Sequence, residues 1–303
     1  MTLWNSIADN CPEFEKSCCT KYRYGGGCYT LGAIIGDVVG SRFEWHNIKS
    51  KEFTFFHIDC FPTDDSIMTL AIAKAILTCN GDYSDLGNQT VIYMQELGRR
   101  YPNAGYGGRF RRWLKKQFPE PYNSLGNGAA MRVSPVAYAA ENMDHLKVLS
   151  RAVTEVTHNH PSGIKGAEAT AVAIFMALHG ADKQDIKGVI DQEYYNLDYY
   201  QLDEIRAEYS FDETCDGTVP YAIEAFMEAT SFEDTIRNAI SIGGDSDTLA
   251  AIAGSIAEAY YGIPETIRSQ AIQYLDKVQT DILNRFEVKY GIIRKKETEK
   301  DTL

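Results

Sequence analysis

A β-strand without a neighbour leaves its backbone N–H and C=O groups unpaired, and this chain offers one strand-like run only, residues 52–61, with no second alternating run to partner it. The sequence therefore predicts a core built from helices. Residues 66–77 carry Ile67, Leu70, Ala71, Ala73 and Ile76 behind Thr63-Asp64-Asp65. Residues 167–178 follow Pro161, 221–229 follow Pro220, 248–261 follow an Asp/Ser/Thr cluster, and 266–286 follow Pro264. Ala, Leu, Ile, Met and Glu dominate these stretches, and most of them are good helix formers. There is no βαβ rhythm, no repeat of 20–50 residues and no low-complexity linker. The reading is one all-α domain over residues 29–293, with a Cys-rich N-terminal extension (1–28) and a charged C-terminal tail (294–303).

Within that domain, Gly32, Gly36 and Gly40 recur every four residues and so line one helix face. Each costs about 1 kcal/mol relative to Ala in a helix interior. Close approach of a second helix would compensate, and Ala250, Gly254 and Ala257 offer a matching small-residue face. The alternative is that the bare face lets a ligand lie near the backbone.

The chain of 303 residues needs no disulfide or structural metal to fold. Thirty basic against forty-two acidic residues leave a net charge of −12, which disfavours nucleic-acid backbones and anionic membranes. No run approaches the ~18 apolar residues of a membrane span, and Met1-Thr2-Leu3-Trp4 lacks the order of a signal peptide. The seven cysteines are odd in number and lack zinc-ligand spacing. The expected location is cytoplasmic, with reduced thiols.

Two Asp/Thr clusters precede helices: Thr63-Asp64-Asp65 and Asp245-Ser246-Asp247-Thr248. Such residues cap helices and complement the helix dipole. Four carboxylates and two threonines exceed what two caps need, and carboxylates brought together repel unless cations join them. Hard oxygen donors suit Mg²⁺, Mn²⁺ or Ca²⁺ rather than zinc, and neither cluster fits an EF-hand loop. Asp37 and Glu44 stand two helical turns apart on one face and read, in isolation, as solvent-facing acids. The 123–132 stretch is rich in Gly and small residues, whose backbone N–H groups could cradle phosphate. The histidines of Thr157-His158-Asn159-His160-Pro161 are structural or functional on this reading. No nucleophile-elbow, zincin or P-loop motif is present.

In this order, GDVVGSRFEW, PTDDS, SLGNGAAMRVSP, THNHPSGIKGA and SIGGDSDTLAAIAGSIAEAYYG resemble the motifs of the ADP-ribosylglycohydrolase family across residues 31–262. The resemblance implies an all-α, single compact orthogonal multi-helix domain that removes ADP-ribose from modified proteins or small ADP-ribosyl conjugates. It implies two Mg²⁺ or Mn²⁺ ions held by Thr63, Asp64, Asp65, Asp245, Asp247 and Thr248, with Glu44 as general acid or base. Ser124, Leu125, Gly126, Asn127 and Gly128 match the loop around the diphosphate and adenosine, and His158 matches a histidine near the same ligand. Tyr122, just upstream, is a candidate for stacking on adenine or a half-buried core tyrosine. The linkage cleaved is left open. So are a binding-only protein and a metal-dependent phosphohydrolase, which the carboxylates alone would allow.

Overall fold

The apolar stretches predicted to be helical fall largely in helices of the computed structural model, which describes residues 30–199 and 201–300. Among those residues fourteen α-helices follow one another: α1 (Leu31–Gly40), α2 (Asp64–Cys79), α3 (Leu86–Arg100), α4 (Gly108–Trp113), α5 (Pro135–Ala139), α6 (Met143–Thr154) and α7 (Pro161–Leu178). Then come α8 (Lys183–Glu193), α9 (Leu202–Glu208), α10 (Cys215–Met227), α11 (Phe232–Ile242), α12 (Ser246–Tyr261), α13 (Glu265–Ala271) and α14 (Lys277–Lys300). The described residues contain no strand, and one isolated antiparallel bridge joins Gly126 to Thr214. The chain is an all-helical single domain. The 1–28 extension lies outside the described residues.

The strand-like run 52–61 is a strap whose carbonyls go to side chains. Arg237 donates to Lys51 O and Phe53 O at 2.9 and 2.8 Å, and its guanidinium lies over the rings of Phe53 and Phe55. Tyr274 donates to His57 O at 3.0 Å. The aromatic residues that made the run look like a strand are packed against the core instead.

Two helix boundaries differ from the sequence reading. The helix expected over 266–286 is broken into α13 and α14. Asp276 Oδ1 accepts from the N–H groups of Val278 and Gln279 at 2.8 and 3.0 Å, while Gln279 Oε1 accepts from Asp276 N–H at 2.8 Å. This reciprocal cap starts a new helix at Lys277. Pro220 lies inside α10 rather than at its start. Thr214 caps that helix by accepting from Gly217 N–H at 3.0 Å, and the proline removes a single intrahelical donor.

The glycine stripe pairs two helices. A Cβ at Gly36 would sit 2.0 Å from Ala250 O, and one at Gly32 would sit 2.4 Å from Gly254 O. A Cβ at Gly40 would reach Asp247 Cα at 2.5 Å. The order Gly32–Gly254, Gly36–Ala250, Gly40–Asp247 makes α1 and α12 antiparallel, packed along their length. Neither face is left for a ligand. All ten residues of α1 are buried, so the residues just past its C-terminus share one end of the molecule with the start of α12.

Candidate metal centre and ligand loop

Three helix ends converge there: the end of α1 with the single 3₁₀ turn that follows it (Ser41–Phe43), the start of α2, and the start of α12. Carboxylate oxygens of Asp37, Asp65 and Asp247 lie within 4.8 Å of one another, and so do those of Glu44, Asp245 and Asp247. Asp247 belongs to both sets. Thr63 Oγ1 lies 3.5 Å from Asp65 Oδ2 and 3.4 Å from Asp247 Oδ2, and Thr248 Oγ1 donates to Asp65 Oδ2 at 3.3 Å. The two clusters that are 180 residues apart in sequence are thus one cluster in space. Asp64 is half-buried in the first turn of α2 and joins neither set of close oxygens.

Asp37 is the residue that sequence reasoning misplaced. It is fully buried, not solvent-facing. Its carboxylate accepts from Thr63 N–H at 2.8 Å, Ser66 N–H at 3.0 Å, Thr63 Oγ1 at 2.5 Å and the Ser66 hydroxyl. Asp37 therefore caps α2 from another helix and sets the orientation of Thr63. The available signal was its position in LGAIIGDVVG, a helix with no polar face that could turn an acid to water.

Two further residues hold the centre together. The Asn47 amide grips both sides of Gly244: its Nδ2 donates to Gly244 O at 2.8 Å and its Oδ1 accepts from Gly244 N–H at 2.7 Å. The same Nδ2 donates to Phe43 O and Glu44 O, so one side chain ties the Glu44 segment to the turn that carries Asp245. Gly243 and Gly244 both adopt positive φ there, a conformation open to glycine at little cost. Lys49 donates to Tyr209 O at 2.7 Å and to Ile242 O at 2.5 Å, closing the turn from the other side.

The electrostatics are those of crowded, buried acids. Burial first, then neighbouring carboxylates, push Asp64, Asp65 and Asp247 well above the usual carboxylate range. Burial raises Asp37 to about 6 against the four hydrogen bonds it accepts. Glu44 is raised to about 7 by burial, then by Asp245 and Asp37, with the Trp45 side chain opposing. Asp65 Oδ1 is buried with no hydrogen-bond partner. Hard, anionic, clustered oxygens and an orphaned carboxylate oxygen are the kind of donors that could hold a divalent cation, which makes the cluster a candidate metal site.

The 124–128 loop lies against this cluster. Asn127 Nδ2 donates to Asp245 Oδ2 at 2.6 Å and to Thr218 Oγ1 at 3.0 Å. The segment leading into α10 brackets the loop: Asn127 N–H donates to Glu213 O at 2.8 Å, and Cys215 N–H to Leu125 O at 2.9 Å. Ser124 N–H goes to Thr157 O and Gly126 N–H to Ser124 Oγ. Most of the loop's N–H groups are therefore spent on the fold. No described residue accepts from those of Leu125 and Gly128.

His158 is buried, and its ring lies against Gly126 and Gly128. Burial, then the guanidinium groups of Arg132 and Arg109, hold its imidazole well below its ordinary range. His160 is instead the N-cap of α7, its Nδ1 accepting from Ser162 N–H at 3.1 Å. Tyr122 is half-buried, with the Arg109 guanidinium 4.9 Å from its ring centre and the His158 ring 6.1 Å away. Trp45, 73% exposed, stacks on Phe211 at 5.3 Å, which sets an aromatic pair beside Glu44. That pair was not legible in sequence, because its members are 166 positions apart.

A sequence profile of ADP-ribosylglycohydrolases matches residues 27–292. The chain is 25% identical to the ADP-ribosylhydrolase ARH3 of Mus musculus, over 85% of its own length and 89% of the relative's. It is 25% identical to the ADP-ribosylarginine hydrolase Tri1 of Pseudomonas putida (strain GB-1), over 84% and 76%. In three dimensions it is similar to a chain of an ADP-ribosylglycohydrolase-related protein complex, with a TM-score of 0.63, 23% identity, and coverage of 86% of this chain and 95% of that one. The last likeness bears on fold alone.

Proposed function

Because the chain belongs to the ADP-ribosylglycohydrolase family, we propose that it is a metal-dependent hydrolase releasing ADP-ribose from ADP-ribosylated protein side chains or related small conjugates. The observation that carries this reading is the 2.6 Å hydrogen bond from Asn127 to Asp245, which joins the ligand loop to the acid cluster in one site. Two divalent cations, Mg²⁺ or Mn²⁺, would be held by Thr63, Asp64, Asp65, Asp245, Asp247 and Thr248. Bound there, they would supply the positive charge that orients the ribose hydroxyls beside the scissile carbon.

The remaining work falls to the chain. The protein carries a net charge of −12, so an anionic diphosphate must be recognised locally. The free N–H groups of Leu125 and Gly128, with His158 behind them, provide for that. Tyr122 offers a ring for the adenine, and Ser124 to Gly128 shape the path between. Cleavage of the C1″ bond develops oxocarbenium character and requires a proton to be managed at the leaving group or the attacking water. Glu44, half-buried among acids, has its proton affinity lifted towards neutrality, where acid–base catalysis works best.

The test is a panel of defined ADP-ribosylated peptides and small conjugates incubated with Mg²⁺ or Mn²⁺ and, separately, with EDTA. Intact ADP-ribose, released only with metal, is the expected product. AMP with ribose 5-phosphate would make it a phosphohydrolase, and tight binding without turnover on every substrate would make it a binding protein.

A further inference from the structure

Seven of the chain's thirty Lys and Arg residues stand within residues 97–119, a stretch that holds no Asp or Glu. In a protein with a net charge of −12, so dense a basic run is out of keeping with the rest of the surface. Arg100 faces the Asp276 carboxylate. The other six, Arg99, Arg109, Arg111, Arg112, Lys115 and Lys116, are exposed, and none makes an ion pair among the described residues. Helix geometry gathers them on one surface. α4 buries Phe110 and Trp113 and leaves Arg109, Arg111 and Arg112 outside. Helical turns run on past its end, with Lys115 N–H donating to Arg112 O at 3.2 Å and Lys116 N–H to Trp113 O at 3.1 Å. Arg109, Lys115 and Lys116 therefore stand three or four residues from Arg112 and share its face. Arg99 joins them from the end of α3: its Nε donates to Leu114 O at 2.8 Å and its Nη2 to Lys116 O at 3.3 Å.

A merely solvated face leaves its side chains free. Here three guanidinium groups are tied to main-chain carbonyls: Arg99 as above, Arg109 to Tyr122 O, and Arg111 to Tyr106 O at 3.1 Å. Such anchoring lowers the entropy cost of binding. Like charges held this close repel unless an anion joins them, and a planar guanidinium matches a phosphate with two hydrogen bonds at once. Phe118, two residues beyond Lys116, is 81% exposed. Its ring is open to a base, and basic surfaces with interleaved aromatics hold single strands in this way. The net charge does not oppose this, because a Debye length of about 8 Å makes a ligand answer to the local sign. The surface is continuous with the site: a Cβ at Gly105 would lie 3.0 Å from Asp64 Oδ1, and the Arg109 guanidinium lies over the Tyr122 ring. We propose that this face tracks the phosphodiester backbone of a single-stranded nucleic acid and so presents a nucleic-acid-linked ADP-ribosyl group to the acid cluster. The substrate half rests on the functional reading above; strand binding does not.

The experiment is fluorescence anisotropy of a labelled oligothymidine of about twelve nucleotides with the full-length protein in Mg²⁺, from about 25 to 200 mM KCl. Affinity should fall linearly with salt on logarithmic axes. The triple variant Arg112→Gln, Lys115→Gln, Lys116→Gln should flatten that slope by about 2, at roughly 0.7 per phosphate contact, and weaken binding about tenfold at low salt. Phe118→Ala should weaken binding about fivefold and leave the slope as it was, because stacking involves no counterion release. Absence of strand binding at the lowest salt overturns the inference, and so does an unchanged slope in a folded triple variant. An oligoglutamate of equal charge that competes as well as the oligothymidine makes this a surface for acidic peptides and overturns it too. For the substrate half, kcat/KM on an oligonucleotide carrying a terminal ADP-ribose, taken relative to a small ADP-ribosyl conjugate, should drop about tenfold in the triple variant; an unchanged ratio overturns that half. A wild type that binds the strand and releases ADP-ribose from neither substrate overturns the functional reading and leaves the strand surface standing.

Discussion

At the scale of single residues, Glu44 and Asp37 show how one helix end separates chemistry from scaffolding. Asp37 has spent its oxygens on four donors around the start of α2, so its work is to hold Thr63 in place. Glu44 has fewer commitments, with the Trp45 side chain as its hydrogen-bond partner, and is half-exposed beside Asp245 and Asp247. Glu44→Gln keeps the shape and removes the acid–base group. It should lower kcat by roughly 10²–10⁴, the span expected for a lost general acid or base. KM and ADP-ribose affinity should change little, the pattern of an interaction made only in the transition state. Single-turnover hydrolysis beside calorimetry measures both; normal hydrolysis by the variant would make Glu44 a spectator. The contrast between the two acids could not be read from their seven-residue spacing, which predicts only a shared face.

Among the elements, the α1–α12 pair concentrates the constraints. A Gly→Ala change inside a helix ordinarily stabilises by about 1 kcal/mol. At Gly36 the added Cβ would meet Ala250 O at 2.0 Å and Ala250 C at 2.2 Å, and backbone cannot yield as a side chain would. Gly36→Ala should therefore destabilise, on the order of 3 kcal/mol, as overpacking of a tight core does. A urea melt reads the sign, and a gain in stability would mean that the two helices can separate cheaply. Glu258 completes the pair from the other end. Its Oε2 accepts from Gly32 N–H at 2.9 Å, standing in for a cap that Thr30 does not provide. Burial raises its carboxyl to about 8 despite that bond. The folded state thus holds the proton more tightly than the unfolded chain, whose value is near 4.5. The stability that this confers is complete below about pH 4.5 and is lost as pH rises through 8. Glu258→Gln should match the wild type at pH 4.5 and exceed it at pH 8 by on the order of 4 kcal/mol. Chemical denaturation across that range is the check, and parallel curves would show that Glu258 does not carry the slope.

For the whole molecule the acid cluster ties stability to metal and pH together. Asp37, Asp64, Asp65 and Asp247 all have raised proton affinities. In EDTA their contribution is present below about pH 4 and lost as pH rises through 6 and beyond, by the same linkage. Cations bind the deprotonated form and stabilise by mass action, by about 2.7 kcal/mol at a hundred times Kd. The gap in Tm between Mn²⁺ and EDTA should therefore widen from pH 5 to pH 7.5, reaching on the order of 5 °C. Calorimetric scans test it, and a gap of zero throughout would remove the metal centre. What the sequence determined by itself was local in origin. Apolar residues at helical spacing, prolines and Asp/Ser/Thr at helix starts, and a four-residue glycine stripe each act within a turn or two, so they announce helices, their starts and one close-packed face. The missed cap at Asp276 and Gln279 was equally local and open to reading. Tertiary structure alone decided the rest. It buried Asp37 under the N–H groups of Thr63 and Ser66 and brought Asn127 to Asp245 across 118 positions. It also pinned the Gly244 turn with Asn47 across 197. Whether an acid is a solvated side chain, a cap or a cation ligand depends on what fills the space around it, and here that space is filled from helices distant in sequence.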